Sequence, residues 1–187
     1  YTLSLHDALP IERCLVFGSS RGNIAKPVNG IDPYDRLAWV NISVVTIGTN
    51  GSTDLTSPHI KGSVYGGGEN GHNSENATVN IYSGTIGIAD SSNPGYTVTS
   101  NGKSYSGAEY PYRGNVYGGG CGTDKYYSGS VPEGHTANDG EGNTYNSLAG
   151  VVYGTTTVTI DGGHVVRNVY GAGAMGSVGK FEKNASN

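Results

Sequence analysis

A short motif of an apolar residue, an aromatic residue and glycine recurs four times and constrains the fold more than any other feature of the sequence. Its aromatic residues are Phe17, Tyr65, Tyr117 and Tyr170, which are spaced by 48, 52 and 53 residues. A motif that returns at a nearly fixed interval indicates a repeat architecture, in which each structural unit stacks on its neighbours. The four copies are residues 15–18 (LVFG), 63–68 (SVYGGG), 115–120 (NVYGGG) and 168–173 (NVYGAG).

A second motif lies between successive copies of the first, and it consists of a polar residue with one apolar residue on each side. The shortest distance from the aromatic residue to this motif is 14 residues, and the shortest distance from the motif to the next aromatic residue is 12. The minimal unit is therefore 26 residues, and the observed repeats contain insertions of 22, 26 and 27 residues. The copies are Val40-Asn41-Ile42, Val79-Asn80-Ile81 and Val158-Thr159-Ile160, each with an apolar residue seven positions after the first, at Ile47, Ile86 and Val165.

A unit of this length and pattern predicts one coil of a β-solenoid. Apolar residues that alternate with polar ones share one face of a strand, and glycine permits tight corners. The 17 Val and 10 Ile outnumber the 7 Leu, which favours strands over helices. We therefore predict an all-β repeat β-solenoid, a right-handed parallel β-helix with long loop insertions. Its repeats span about 15–62, 63–114, 115–167 and, incompletely, 168–187.

An antiparallel β-propeller or sandwich is the alternative architecture. Asn-Gly dipeptides favour the tight turns that join antiparallel strands in β-hairpins. The chain has four of them, at Asn29-Gly30, Asn50-Gly51, Asn70-Gly71 and Asn101-Gly102.

The first eleven residues are unlike the rest of the chain. Residues 1–11 (YTLSLHDALPI) resemble the in-frame translation of a common short-read sequencing adapter. We therefore predict that they are an adapter-derived artefact, that the solenoid domain comprises residues 12–187, and that the chain is a gene fragment. His6 and Asp7 are accordingly left out of the catalytic candidates.

The first motif occurs in residues 62–73 (GSVYGGGENGHN) and 113–127 (RGNVYGGGCGTDKYY), the second in residues 77–88 (ATVNIYSGTIGI), and both in residues 148–179. These units resemble the Gly-rich VYGGG repeats of large bacterial surface proteins, which are described as adhesin-like or β-helix repeat proteins. The resemblance covers about Val16 to Gly179 and is weakest over residues 18–39, where Gly-Ser-Ser replaces Gly-Gly-Gly. It implies a secreted protein of the bacterial cell surface and brings no catalytic residues with it.

The aromatic residues of the first motif each follow a valine. Because neighbouring strand residues point to opposite faces, we expect the valines to enter the core and the aromatic rings to point outward, as a ladder with steps of ~4.8 Å. We favour a structural role for this ladder over stacking on sugar rings or on a partner. The structural repeat positions are Phe17, Tyr65, Gly66, Tyr117, Gly118, Tyr170 and Gly171.

The insertions at residues 89–111 and 123–147 are rich in Ser, Gly, Asn and Tyr. This composition is typical of antibody binding loops, and insertions in solenoids commonly lie on one face. A glycan, or a host or matrix protein, is the partner that we predict for them. The candidate ligand-binding residues are Tyr105, Tyr110, Tyr112, Tyr126 and Tyr127.

Several other binding functions are not expected. The 11 Lys and Arg are spread singly in a chain of net charge -4, so no basic patch for nucleic acid forms. The sequence contains no run of 18 apolar residues, the length that would indicate a membrane-spanning helix. Residues 66–71 and 171–176 match G-x-G-x-x-G, yet no helical pattern follows either of them, as a dinucleotide site would require.

A polysaccharide lyase or hydrolase on a β-helix scaffold is the enzymatic alternative. Such chemistry generally needs two carboxylates across the scissile bond, or carboxylates around a metal. The motif alignment places Tyr82 and Ser43 beside Asp161, and Thr85 and Thr46 beside His164, so no stack of acidic residues or histidines is expected. We predict no catalytic residue, and we expect Asp161 to cap its own turn. Asp90, Asp124, Asp139, Glu133 and Glu141 lie in insertions, where the sequence does not place them relative to one another.

No cofactor or metal site is predicted, although calcium stays open as a loop ligand. Asp139, Glu141 and Asn143 alternate oxygen-bearing side chains. Thr144 and Gly150 stand where an EF-hand loop would need Gly and Glu. Cys14 and Cys121 lie at different places relative to their motifs, and no disulfide is inferred. We therefore expect a non-catalytic stalk or adhesin region.

Overall fold

The computed structural model describes residues 2–5, 15–22, 38–87, 97–100, 103–106, 113–122, 125–136, 142–145 and 148–180. In these residues the regular elements are all β-strands. The strands are β1 (Thr2–Leu5), β2 (Val16–Phe17), β3 (Trp39–Val40), β4 (Ser43–Ile47), β5 (His59–Ile60), β6 (Val64–Tyr65), β7 (His72–Asn73), β8 (Ala77–Ile81), β9 (Thr85–Ile86), β10 (Thr97–Ser100), β11 (Lys103–Ser106), β12 (Val116–Tyr117), β13 (Lys125–Tyr126), β14 (Thr144–Tyr145), β15 (Thr156–Ile160), β16 (His164–Val165) and β17 (Val169–Tyr170).

Most strands belong to parallel sheets whose neighbouring strands come from successive turns of the chain. The long-strand sheet has the order β1-β4-β8-β15, the aromatic sheet β17-β12-β6-β2, the short sheet β16-β9-β5 and the connecting sheet β3-β7. Parallel bridges from Asn73 to Val152 and from Val152 to Val178 continue the connecting sheet. One turn of the chain passes through the aromatic, connecting, long-strand and short sheets in that order, which confirms the predicted parallel β-solenoid.

Successive coils can be followed along the chain. The first coil contains β2 to β5, the second β6 to β9, and the third β12, β15 and β16, while β17 begins the fourth. Val152 takes the connecting position in the third coil, and Val178 takes it in the fourth. The strand β1 lies beside β4, on the side away from β8.

The register of the first coil differs from the prediction. Val45 pairs with Val79, and Ile47 pairs with Ile81. The equivalent of Val79-Asn80-Ile81 is therefore Val45-Thr46-Ile47, and the assignment of Val40-Asn41-Ile42 was wrong. The sequence pattern fits both segments, but only the later one alternates buried and half-buried residues, while Ile42 is exposed.

The core follows from this alternation. In β4 and β8 every second residue is buried, and these buried side chains meet valines of the aromatic sheet. Because equivalent residues of neighbouring coils stack directly, each buried side chain contacts its own counterparts above and below. The buried core comprises Val16, Val45, Ile47, Ile60, Val64, Val79, Ile81, Ile86 and Val116, with Val158 and Val165 packed against it.

The glycine that directly follows the aromatic residue of the motif allows neighbouring coils to approach to the distance of paired strands. The amide of Gly66 donates to the carbonyl of Tyr117, and the amide of Gly118 donates to the carbonyl of Tyr170. A Cβ atom on Gly66 would collide with the carbonyl oxygen of Gly118, and one on Gly118 would lie 2.6 Å from the carbonyl oxygen of Gly171. A side chain at these positions would therefore separate the coils.

The insertions leave the coil at several corners, and not on one face as we expected. Residues 23–37 and 123–147 both interrupt the corner between the aromatic and connecting sheets. Residues 48–58 lie between the long-strand and short sheets, and residues 88–112 between the short and aromatic sheets. The antiparallel pairs β10–β11 and β13–β14 lie within two of these insertions.

The Asn-Gly dipeptides do not join antiparallel strands of the stacked sheets. Asn101-Gly102 connects the antiparallel strands β10 and β11 inside an insertion. Asn50-Gly51 lies in a turn where the amide of Ser52 donates to the carbonyl of Thr49, and the amide of Asn70 donates to the neighbouring coil. Asn29-Gly30 lies outside the described residues. Because the stacked sheets are parallel, the antiparallel propeller or sandwich is excluded for the repeat itself.

The segment predicted to be adapter-derived contributes β1, which pairs with β4 in register from Thr2 with Val44 to Leu5 with Ile47. An open sheet edge offers unpaired backbone groups to any extended segment. The pairing therefore carries no information about the origin of residues 1–11.

Replacing Ile81 by alanine tests the stacked core. Ile81 is fully buried in the second coil, whereas Ile160 has the same register position in the third coil and is 42% exposed. We expect Ile81→Ala to lower the free energy of unfolding by about 2–5 kcal/mol, because it leaves a cavity in the core. Ile160→Ala should cost less than about half as much, because its side chain already meets solvent. Chemical denaturation measures both, and equal losses would contradict the stacking.

Replacing Gly66 by alanine tests the close approach of the coils. Gly171 is the matched control, because it has the same position in the fourth coil and a Cβ atom there meets nothing within 4 Å. We expect Gly66→Ala to lower the melting temperature and Gly171→Ala to leave it nearly unchanged. Thermal unfolding of dilute protein followed by circular dichroism gives the comparison, and a tolerated Gly66→Ala would contradict the coil spacing.

Candidate functional site

The aromatic sheet carries the predicted ladder. The ring centroids of Phe17 and Tyr65 are 4.7 Å apart, those of Tyr65 and Tyr117 4.8 Å, and those of Tyr117 and Tyr170 4.9 Å. The planes differ by 16° or less, so the rings are stacked. This spacing equals the distance between neighbouring parallel strands, which is why each ring lies directly over the next.

The ladder lies on the face opposite the valines, as expected, but this face is not open to solvent. Tyr65 is 1% exposed and Tyr117 is 8% exposed, and both belong to a second apolar cluster with Cys121 and Ala174. Each of these two rings also has both faces covered by its neighbours in the ladder. A sugar ring therefore has no access to them, and the ladder packs the interior of the coil.

The candidate binding tyrosines lie in two separate insertions. Tyr105 lies in β11 and pairs with Val98 of β10. Tyr126 lies in β13 and pairs with Thr144 of β14, while Tyr110 and Tyr112 fall outside the described residues. The structure thus assigns Tyr126 and Tyr127 to one hairpin and Tyr105 to another, and does not bring the five together in one described surface.

The hairpin of β13 and β14 has a defined internal structure. Half-buried Tyr127 meets the ring of His135 edge-on, with centroids 5.7 Å apart. The Oδ1 atom of Asn143 accepts hydrogen bonds from the amide and hydroxyl of Ser128 at 3.2 and 3.3 Å and from the hydroxyl of Thr144 at 3.1 Å. This oxygen, considered above as a calcium ligand, is therefore engaged in closing the hairpin. Asp139 and Glu141 lie outside the described residues.

The acidic and histidine candidates show no catalytic pairing among the described residues. Asp161 is exposed and neighbours Tyr82 across the coils, as expected, but in the first coil its counterpart is Gly48 and not Ser43. Its carboxylate makes no hydrogen bond to a described residue, so the predicted turn cap is not observed there. The turn is instead permitted by Gly163, whose φ is +76°. Glu133 is exposed, and Asp90 and Asp124 lie outside the described residues.

The histidine row was also assigned incorrectly in the first coil. His164 pairs with Thr85, as expected, but Thr85 pairs with His59 and not with Thr46. The two histidines occupy equivalent positions two coils apart, with a threonine between them. The Nε2 atom of His59 lies 2.9 Å from the carbonyl oxygen of Gly87.

The two G-x-G-x-x-G matches belong to coil corners. Gly66, Gly67 and Gly68 each face backbone atoms of a neighbouring coil within 3 Å of where a Cβ would be. No helix follows either match within the described residues. These glycines therefore serve the stacking of the coils, and the geometry of a dinucleotide site is absent from the described part of both corners.

An aromatic group at the connecting sheet was not predicted from the sequence. The half-buried ring of Trp39 lies parallel to that of Tyr153, with centroids 5.6 Å apart and planes 6° apart, and it lies 4.7 Å from the ring of fully buried His72. The three residues belong to the first, third and second coils. Trp39 and His72 occupy paired positions of neighbouring coils, but the three residue types differ and Tyr153 lies at another position, so no common motif marks the group.

A polar ladder beside the aromatic one was also missed. The amide of buried Asn115 donates to the hydroxyl of Ser63 at 3.1 Å. The amide of Asn168 donates to Oδ1 of Asn115 at 3.3 Å, and its side-chain amide donates to the same atom at 3.4 Å. The signal was present in the sequence, because all three residues directly precede the valine of the repeated motif.

Other chemical features of the described residues are few. No group of three or more His, Cys, Asp or Glu side chains that could hold a metal ion occurs among them. Cys121 is buried, and Cys14 lies outside the described ranges. No helix in the described part of the chain is long and apolar enough to cross a membrane.

The carboxylate of Asp54 has a pKa below its ordinary value. The hydroxyl and the amide of Thr56 both donate to Oδ1 of Asp54 at 2.7 Å and lower the pKa of this exposed side chain. The hydrogen bonds favour the charged form and order the insertion between β4 and β5.

Comparisons with models of protein families, with curated proteins and with solved structures give no match to this chain.

Proposed function

We propose that the chain is a non-catalytic spacer region of a secreted bacterial cell-surface protein, and that its inserted hairpins contact a glycan or a host or matrix protein. The observation that carries the proposal is the in-register stacking of the coils through four parallel sheets, with the insertions confined to corners. The surface location is proposed from the resemblance of the VYGGG units.

The stacked coils suit a spacer because the strands of each coil pair only with strands of neighbouring coils. The same three features recur from coil to coil: the Val and Ile core, the aromatic ladder and the backbone hydrogen bonds of the corner. A repeat of this kind has no intrinsic size limit, and its length grows by ~4.8 Å with every coil. Length can therefore be varied without changing the packing.

The hairpin of β13 and β14 suits a binding role for a different reason. Asn143 ties both strands of the hairpin together, and Tyr127 is held against His135 while part of its surface stays exposed. Tyrosine provides a large amphipathic contact, and a side chain that is already ordered loses little entropy on binding. The hairpin therefore presents a defined aromatic and polar surface beside the coil.

Adding coils tests the spacer. Residues 64–115 form one complete turn with its insertion, since β6 and β12 occupy equivalent positions. We expect three further copies of this segment, inserted after Asn115, to lengthen the molecule by about 14 Å while the fold is retained. Small-angle X-ray scattering measures the length, and a shuffled insert of the same composition is the control. An isotropic increase in size would contradict a spacer.

Tyrosine substitutions test the binding surface. We expect the purified chain to bind a glycan on an array of surface glycans, or a matrix protein on a sensor surface. Replacing Tyr126 and Tyr127 together by alanine should raise Kd by roughly thirtyfold, as loss of about 2 kcal/mol at an aromatic hot spot does. Tyr82→Ala is the matched control, because Tyr82 is also half-buried but follows the long-strand sheet.

The two parts of the proposal fail separately. If the chain and longer arrays of it bind no glycan or matrix protein, the binding role is wrong and the spacer role stands. Equal binding by the double variant and by the wild type would remove the hairpin as the binding surface. If the added coils do not extend the molecule, the spacer role is wrong.

A further inference from the structure

One of the Asn-Gly dipeptides is exposed to solvent, and another is buried between the coils. Asn50 and Gly51 are both exposed, at the corner between the long-strand and short sheets of the first coil. Asn70 is 1% exposed, and its backbone amide donates to the carbonyl of Cys121 at 2.8 Å. Asn29 and Asn101 lie outside the described residues. The structure thus separates Asn50 from Asn70, although both are followed by glycine.

Asn50 and Gly51 are the two central residues of a tight turn. The amide of Ser52 donates to the carbonyl of Thr49 at 3.0 Å, which closes the turn. The φ angle of Gly51 is +80°, while that of Asn50 is not positive, and this is the pattern of a type II turn. The closing hydrogen bond spans the two central residues, so it does not use the amide of Gly51.

The side-chain amide of Asn50 and the backbone amide of Gly51 are adjacent along the chain and can react with each other. Neither makes a hydrogen bond to a described residue. A Cβ atom on Gly51 would meet nothing within 4 Å, so the space around this residue is open. Because glycine has no side chain beside its nitrogen, the side chain of Asn50 can rotate towards that nitrogen without a steric barrier.

The residues on either side of the turn are tied to the second coil. The amide of Thr49 donates to Oγ of Ser83 at 3.1 Å, and the amide of Gly84 donates to the carbonyl of Asp54 at 2.7 Å. These hydrogen bonds hold the insertion against the coil and leave the tip of the turn in solvent. The exposure of Asn50 is therefore a property of the folded protein.

We propose that Asn50 is a site of spontaneous deamidation in the folded protein, with the backbone nitrogen of Gly51 as the nucleophile. This nitrogen bonds to Cγ of Asn50 and loses its proton, while the side-chain nitrogen of Asn50 leaves as ammonia and a five-membered cyclic imide forms. Water then adds to either carbonyl carbon of the imide and opens the ring, which leaves aspartate or isoaspartate at position 50. The net reaction consumes one water molecule and releases one ammonia, and it needs no further reactant.

The reaction changes this corner of the solenoid in two ways. It adds a negative charge to an insertion that already carries the exposed carboxylate of Asp54. In the isoaspartate product the main chain is one carbon atom longer between Thr49 and Ser52, so the hydrogen bond that closes the turn loses its geometry. The corner between the long-strand and short sheets of the first coil is therefore where an aged chain differs from a newly made one.

Prolonged incubation of the folded full chain in neutral buffer, followed by peptide mapping with mass spectrometry, tests the proposal. We expect deamidation at Asn50 to be at least about tenfold faster than at Asn70, because attack at Asn70 needs local opening of the stacked coils. Isoaspartate at position 50 is the signature of attack by Gly51, since direct hydrolysis of the side-chain amide yields aspartate alone. Equal rates at the two sites, or aspartate without isoaspartate at position 50, would overturn the proposal.

A matched variant and an unfolded control separate the chemistry from the fold. Asn50→Gln keeps an exposed side-chain amide but needs a six-membered ring, which closes far more slowly, so position 50 should stay unmodified and the melting temperature unchanged. In denaturant we expect Asn50 and Asn70 to react at similar rates, because both dipeptides are then exposed. Deamidation of Asn50→Gln at the wild-type rate contradicts Gly51 as the nucleophile. A rate difference that persists in denaturant contradicts the role of the fold, because the flanking sequence would then set it.

Discussion

In-register pairing between neighbouring coils is the interaction on which the rest of the structure depends. Along the aromatic sheet the amides of Val16, Val64 and Val116 each donate to the next coil, so equivalent residues lie one above another. This arrangement fixes the ~4.8 Å step, and the step in turn requires glycine at Gly66 and Gly118, where a Cβ would meet the next backbone. The aromatic rings, the valines and the asparagines of the motif therefore each lie against their counterparts in the neighbouring coils.

The stacking also explains how a chain with few large aliphatic residues forms a core. The valines and isoleucines fill one side of the aromatic sheet, and the tyrosines with Cys121 and Ala174 fill the other. Tyr65 and Tyr117 provide apolar area that a Leu-rich protein would take from aliphatic side chains. The polar row of Ser63, Asn115 and Asn168 satisfies its own hydrogen bonds from coil to coil, so polar side chains are tolerated inside the stack.

The strands of each coil pair only with strands of neighbouring coils, and this is why the stack tolerates insertions. A loop at a corner disturbs neither the coil above nor the coil below, so hairpins such as β10–β11 and β13–β14 can extend from the coil while the sheets continue. In the fourth coil, after which no further strand is described, Val169 and Tyr170 are exposed. The proposed spacer depends on the same pairing from coil to coil.

The sequence by itself determined the all-β class, the 26-residue unit, the aromatic ladder and the opposite facing of valine and tyrosine. These features are local, because strand alternation and an equivalent position in every coil can be read from residue order alone. Tertiary structure decided the register of the first coil, since Val40-Asn41-Ile42 and Val45-Thr46-Ile47 share one pattern and only pairing with β8 selects the second. It also decided that the outward face of the ladder is buried, and that Trp39 meets Tyr153 from two coils away. Whether a face is covered, and which distant residues meet, depends on how the coils and their insertions pack in space, and no local pattern carries that information.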